Sequence, residues 1–125
     1  MQKLEKSVKE GGALQAKLIS CGALHTPLME SASTKLRDAL GEVAQKMKPP
    51  ACDIYLNCTG KAVFAGSSPQ ALIPLLVRQL TEPVLWEHCM RRMIKAGVCE
   101  FHELGPMKQL KSVIKRIDAA AFQRT

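Results

Sequence analysis

One histidine in this sequence stands where a reactive side chain would be displayed. In Cys21-Gly22-Ala23-Leu24-His25-Thr26-Pro27-Leu28-Met29, His25 follows a strand-like alternation and directly precedes a helix start. Loops of this kind, held by rigid elements on both sides, are where catalytic groups are commonly presented. An imidazole there can take a proton near neutral pH, so general-base chemistry is the class it offers, against the plainer reading of a loop histidine facing solvent. A second constellation is His88, Cys89, Cys99 and His102, all of them types that bind zinc. Their spacing matches no zinc pattern, and Cys99 and His102 fall on opposite sides of an extended segment, so they read as core thiols and surface imidazoles and no metal is expected. A third is Lys108, Lys111, Lys115 and Arg116, spaced along one side of a helix with Leu110, Val113, Ile114 and Ile117 interleaved. That is either a solvated face or a dock for an acidic partner.

The elements that must position these residues can be read from period and punctuation. Residues 2–10 carry Leu4 and Val8 one helical turn apart, and Gly11-Gly12 stops that short helix. Leu14 to Ser20 alternates like a half-exposed strand ending at Cys21-Gly22. Thr26 is a capping type and Pro27 suits the first helical position. Ala32, Leu36, Leu40, Val43 and Met47 then recur at helical spacing, which predicts a helix over Pro27 to Lys48, ended by Pro49-Pro50. Asp53 to Cys58 is rich in strand formers and turns at Thr59-Gly60.

Ser67-Ser68-Pro69 could open the next helix. Pro74 lacks the N–H for an interior bond, so its regular part is expected from Ile73 to Leu80. Glu82-Pro83 opens a helix with Leu85, Trp86, Cys89, Met90 and Met93 inward, closed by Gly97. Val98 to Leu104 reads as a strand. Gly105-Pro106 leads into a last helix with Met107, Leu110, Ile114, Ile117 and Ala121 inward. Helices alternating with strands predict an α/β layer with parallel strands and flanking helices. Two buried strands leave edges and faces uncovered, so the sheet is expected to be incomplete and to be completed by polypeptide outside this chain.

Composition narrows the classes. The 125 residues hold 18 Lys or Arg against 11 Asp or Glu, and 46% are hydrophobic, values of a folded domain and not of a disordered one. The net charge of +7 is spread evenly, with 9 basic and 6 acidic residues in 1–62 and 9 and 5 in 63–125, so there is no basic tail. Five aromatic residues give little stacking surface, and nucleic acid is not an expected partner. No apolar run approaches the ~20 residues that span a bilayer, so no membrane contact is expected. Five cysteines, an odd number, and a start without a secretory segment fit a reducing compartment.

Five blocks carry a resemblance. Gly22-Ala23-Leu24-His25-Thr26-Pro27-Leu28-Met29 is similar to the Gly-Ala-Phe-His-Ser-Pro-Leu-Met motif of malonyl-CoA:acyl carrier protein transacylases and related acyltransferase domains of fatty acid and polyketide synthases. In the same order, Asn57-Cys58-Thr59-Gly60 resembles that family's Asn-Val-Thr-Gly, and Leu76-Val77-Arg78-Gln79-Leu80 its Val-Arg-Gln-Leu. Pro83-Val84-Leu85-Trp86-Glu87 resembles Pro-Val-Arg-Trp-Glu, and Glu103-Leu104-Gly105-Pro106 resembles Glu-Val-Gly-Pro. Leu24 stands where the family usually has Phe, and Met107 where it commonly has Gly or Asn.

The resemblance implies the C-terminal part of an acyltransferase domain of α/β-hydrolase-like architecture. Residues 1–22 would end the small ferredoxin-like subdomain, and 23–125 would form the C-terminal part of the large one. It implies malonyl transfer from malonyl-CoA, the donor substrate, to acyl carrier protein in fatty acid or polyketide biosynthesis, with no bound cofactor. His25 would be the general base, with its ring oriented by the backbone carbonyl of Gln79, and Asn57 would support the loop. Lys108, Lys111, Lys115 and Arg116 would dock the carrier protein.

No Gly-x-Ser-x-Gly elbow occurs; Ala65-Gly66-Ser67-Ser68-Pro69 is the nearest stretch and lacks the second Gly. The nucleophile is therefore expected on a missing N-terminal half, the isolated chain is expected to be inactive, and the compartment to be the cytoplasm, or the mitochondrial matrix or plastid stroma behind an upstream transit peptide. The alternative is a non-catalytic basic module that binds an acidic protein.

Overall fold

The computed structural model describes residues 2–13, 22–106 and 109–123. The strand expected over 14–20, Cys21, Met107 and Lys108 lie outside the described residues. Helix α1 spans Gln2–Glu10 and stops at the glycine pair, where Gly12 takes φ +91°. A 3₁₀ turn over Pro27–Met29 runs into α2, Glu30–Val43, and a second over Ala44–Lys46 ends it before Pro49-Pro50. Strand β1, Ile54–Leu56, is followed by β2, Lys61–Val63, and α3 by α4, at Pro69–Arg78 and Trp86–Lys95. The chain closes with α5, Gln109–Ile117, and α6, Ala119–Phe122.

Helices around a small sheet keep the α/β class, but strand pairing differs from the parallel arrangement expected. Strand β1 pairs antiparallel with β2 in the register Ile54–Val63, Tyr55–Ala62 and Leu56–Lys61, a local hairpin that no alternation announced. Its turn requires Gly60: φ is +61°, and an added Cβ would sit 2.9 Å from the His88 Cβ on α4. The segment 98–104 forms no ladder, because no described strand lies beside it. Its alternation survives as burial, with Phe101 packed inward and Leu104 96% exposed.

Two further boundaries moved for local reasons. Helix α3 begins at Pro69, not near Ile73, and carries Pro74 inside. Pro74 removes one bond, to the carbonyl of Gln70, an exposed residue in the first turn. The last helix breaks at Asp118, whose extended backbone and carboxylate, accepting the Ala121 N–H at 2.8 Å, start α6 as a separate turn.

Burial concentrates in two clusters. One joins Leu56 and Cys58 to Leu72, with Ile54, Val63, Leu75 and Leu76 against them. The other joins Met90, Ile114 and Ala121 to Trp86, Phe101 and Phe122. Each fully buried aliphatic side chain contributes about 1.5–3 kcal/mol. No helix among the described residues is long and apolar enough to cross a membrane.

The Glu103 carboxylate ties the 98–104 segment to α5, accepting the N–H groups of Leu110 and Lys111, each at 2.9 Å. These bonds to the open end of α5 hold the Glu103 carboxyl below its usual range, the Leu110 N–H most of all. A depressed carboxyl stabilises the fold above its unfolded value of about 4.3, and that share is lost as pH falls through the folded one. The gap in thermal midpoint between the wild type and Glu103→Gln should thus be widest near pH 6 and close below about pH 4. A gap that stays constant across the titration would show that the charge on Glu103 adds nothing.

Candidate active site

The turn Ala23–Thr26 hangs His25 against the C-terminal end of α3. His25 adopts φ +60°, a left-handed backbone that no other described non-glycine residue shows and that costs roughly 1–2 kcal/mol. Two successive carbonyls offset that cost. The His25 N–H donates to the Leu80 oxygen at 3.0 Å, and the ring nitrogen Nδ1 lies 2.7 Å from the Gln79 oxygen, 54 positions along the chain.

A carbonyl can only accept, so Nδ1 of the neutral ring carries the hydrogen and Nε2 the lone pair. The ring is half-buried. Thr26 holds the cap position with an extended backbone (φ −135°, ψ 162°), but its hydroxyl makes no cap bond. It turns back instead and donates to the Ala23 oxygen at 2.6 Å.

Gln79 and Leu80 lie in a braced stretch. The Arg78 guanidinium grips the Glu82 carboxylate through both oxygens, at 2.7 and 2.9 Å, and the Glu82 N–H donates to the Arg78 oxygen at 3.0 Å. The Arg78 side-chain bond holds the Glu82 carboxyl below its usual range. An exposed pair of this sort adds little stability; it spans the two residues whose carbonyls His25 uses. Asn57 sits in the turn after β1, and its main-chain oxygen accepts the Leu85 N–H at 2.8 Å, linking the hairpin to α4. Its Oδ1 is buried without a partner among the described residues, and no hydrogen bond to His25 is seen.

Among the described residues, the thiols and histidines outside this turn do not assemble. Cys58 and Cys89 are buried and donate to the Leu75 and Leu56 oxygens at 3.4 and 3.6 Å, and burial pushes both thiols up. His102 is exposed, 3.1 Å from Glu100, and the described residues contain no group of three or more metal-binding side chains. On α5, the ammonium groups of Lys111 and Lys115 stand 5.4 and 5.5 Å from the centre of the Phe122 ring. With Ser112 and Arg116 they line an open cleft of about 690 Å³.

The resemblance implied that the Gln79 carbonyl orients the His25 ring, and the fold brings the two together at 2.7 Å. It does not bring Asn57 into hydrogen bonding with either. The Thr26–Ala23 bond and the Arg78–Glu82 grip were missed. The second had a signal, an acid four residues after an arginine.

No protein-family model matches the chain. A probable mitochondrial malonyl-CoA-acyl carrier protein transacylase of Drosophila melanogaster is 34% identical over 112 residues, which takes in 86% of this chain and 28% of that protein. The malonyl CoA-acyl carrier protein transacylase of Bacillus subtilis is 30% identical over 88% of this chain and 33% of its own length. Among solved structures, an acyl-carrier-protein S-malonyltransferase from Burkholderia pseudomallei superimposes with a TM-score of 0.81 at 34% identity, covering 96% of this chain and 38% of that one. A type II polyketide acyl-carrier protein in complex with its malonyl-transacylase gives 0.75 at 27% identity, over 95% and 37%. The chain spans about a third of the length of these relatives and matches their C-terminal portion.

Because the acceptor at position 79 is main chain, Gln79→Ala should leave the His25 ring protonated at Nδ1 and shift stability by less than about 0.5 kcal/mol. Ring nitrogen chemical shifts in the two proteins check this; a changed tautomer would place the acceptor on the glutamine side chain.

Proposed function

We propose that this chain, related to the C-terminal portion of the malonyl-CoA-acyl carrier protein transacylases, supplies the general base of malonyl transfer between CoA and acyl carrier protein. The reading rests above all on the 2.7 Å contact from His25 Nδ1 to the Gln79 carbonyl. It leaves Nε2 as the basic nitrogen and locks the ring's orientation, the service a carboxylate performs in other triads. In this reading residues 1–22 end a small ferredoxin-like subdomain and 23–125 belong to the large one.

The nucleophilic serine belongs to the part of the relatives that this chain does not span. Its hydroxyl attacks the malonyl thioester while Nε2 of His25 takes the proton, and that proton leaves on the CoA thiol. The carrier's thiol then attacks the seryl ester, gives its proton to Nε2, and the serine recovers one. The Gln79 carbonyl faces the ring as it gains charge in both halves. Without the serine the base has no partner, and a loss on the order of a million-fold follows by analogy with serine proteases. Asn57 then serves the loop through its bond to Leu85 and does not touch the reacting atoms. The face carrying Lys111, Lys115 and Arg116, with Lys108 beside it in sequence, docks the carrier, whose acidity it complements.

A second reading draws on that cationic cleft: a basic module that binds an acidic protein and catalyses nothing. One experiment separates the two. The chain is mixed with the serine-bearing N-terminal portion of a related transacylase, and radiolabelled malonyl is followed onto carrier protein. Transfer should exceed that of the N-terminal portion alone, and His25→Ala should cut the gain by about 10²–10⁴-fold. Equal gain with His25→Ala would sink the base assignment. Charge reversal of Lys111, Lys115 and Arg116 should weaken salt-sensitive carrier binding, and carrier binding without any transfer gain would favour the second reading.

A further inference from the structure

We propose that Thr26 is the positioning residue of this site, its hydroxyl latching the turn that holds His25 onto the end of α3. The inference builds on the reading of His25 as the base and concerns what keeps that base in place. Two hydrogen bonds leave His25 for adjacent carbonyls, one from its main chain to Leu80 and one from its ring to Gln79. Both can form together because the backbone at His25 is left-handed, with φ +60°. In the helical or extended wells the ring and the N–H would leave in different directions, and one carbonyl would be lost. For a residue with a Cβ the left-handed well carries a steric cost, which contacts around it must offset.

Beside those two bonds, the Thr26 bond to the Ala23 oxygen, at 2.6 Å, supplies local support, since it spans His25 directly and closes the turn around it. Thr26 is itself fixed from the other side. Pro27 bars it from the helical region, and the Met29 N–H donates to its carbonyl at 3.0 Å. The hydroxyl thus joins a rigid helix entry to the carbonyl at the far side of the histidine. Nothing in this geometry needs the threonine methyl group, so serine should serve as well.

The test uses the full chain, labelled with ¹⁵N, as wild type, Thr26→Val, Thr26→Ala and Thr26→Ser. Valine matches threonine in shape and lacks the donor; alanine removes the donor without adding bulk. The neutral His25 ring of the wild type should show a protonated Nδ1. In the valine and alanine variants the ring signals should move toward a mixture of tautomers, and the His25 amide should exchange about three- to tenfold faster. Thr26→Ser should restore both, with thermal midpoints recorded alongside to separate the local change from global loosening. Wild-type ring signals and amide exchange in either the valine or the alanine variant would overturn the latch, as would failure of serine to rescue. The tautomer is read without any acyl transfer, so a failed latch and a failed base are told apart.

Discussion

The arrangement turns on a carbonyl oxygen at the end of one helix meeting an imidazole nitrogen from a distant turn. Everything near the site serves that meeting. The Arg78–Glu82 pair bridges the stretch that offers the oxygen. The left-handed backbone at His25 lets ring and main chain reach neighbouring acceptors at once. Fixing the ring through main chain has a physical merit: a backbone carbonyl stays uncharged and an acceptor at every pH, so the tautomer it selects does not depend on the state of a titrating partner.

Support for α3 comes from the first cluster. Leu72, Leu75 and Leu76 pack with Leu56 and Cys58, so the hairpin and the helix share one interior. The Asn57–Leu85 bond carries the same hairpin to α4, and Gly60 lets α4 approach within the space of a missing methyl. The second cluster, around Met90 and Ile114, holds α5 and α6 and with them the cationic face. The site and the basic face are thus supported by separate apolar interiors, joined through α4.

Much of this was legible in the sequence because it depended on period and punctuation. Helical spacing found α2, α4 and α5, Gly97 marked the end of α4, and Pro49-Pro50 closed the segment that carries α2. Loop position made His25 a candidate only, and its contact with the Gln79 carbonyl was legible from motif resemblance. What was not legible depended on partners far away or on chemistry that leaves no pattern. Strand β1 and the Thr59-Gly60 turn were legible, but β2, three residues over Lys61–Val63, is too short for alternation to register. The 98–104 segment has the alternation of a strand, yet pairing needs a neighbour that composition cannot supply. Pro74 looked like a helix breaker because its missing N–H is a local signal, while the packing of Leu72, Leu75 and Leu76 that holds α3 together comes from residues distant in sequence. Asp118 was passed over since the apolar spacing of α5 continued through it to Ala121. The Thr26 hydroxyl read as a helix cap, the commonest use of that residue type, when its geometry made it a donor to the preceding turn.

The cysteines carry a consequence of their own. Cys58 and Cys89 spend their S–H groups on main-chain oxygens inside the molecule, while Cys52 and Cys99 lie in the open. Among these four described cysteines an alkylating reagent therefore meets two populations: outer thiols consumed at once, and sealed ones that react only when the interior breathes. The slower reaction is a clock built into the polypeptide, timing how often the hairpin and its covering helices part.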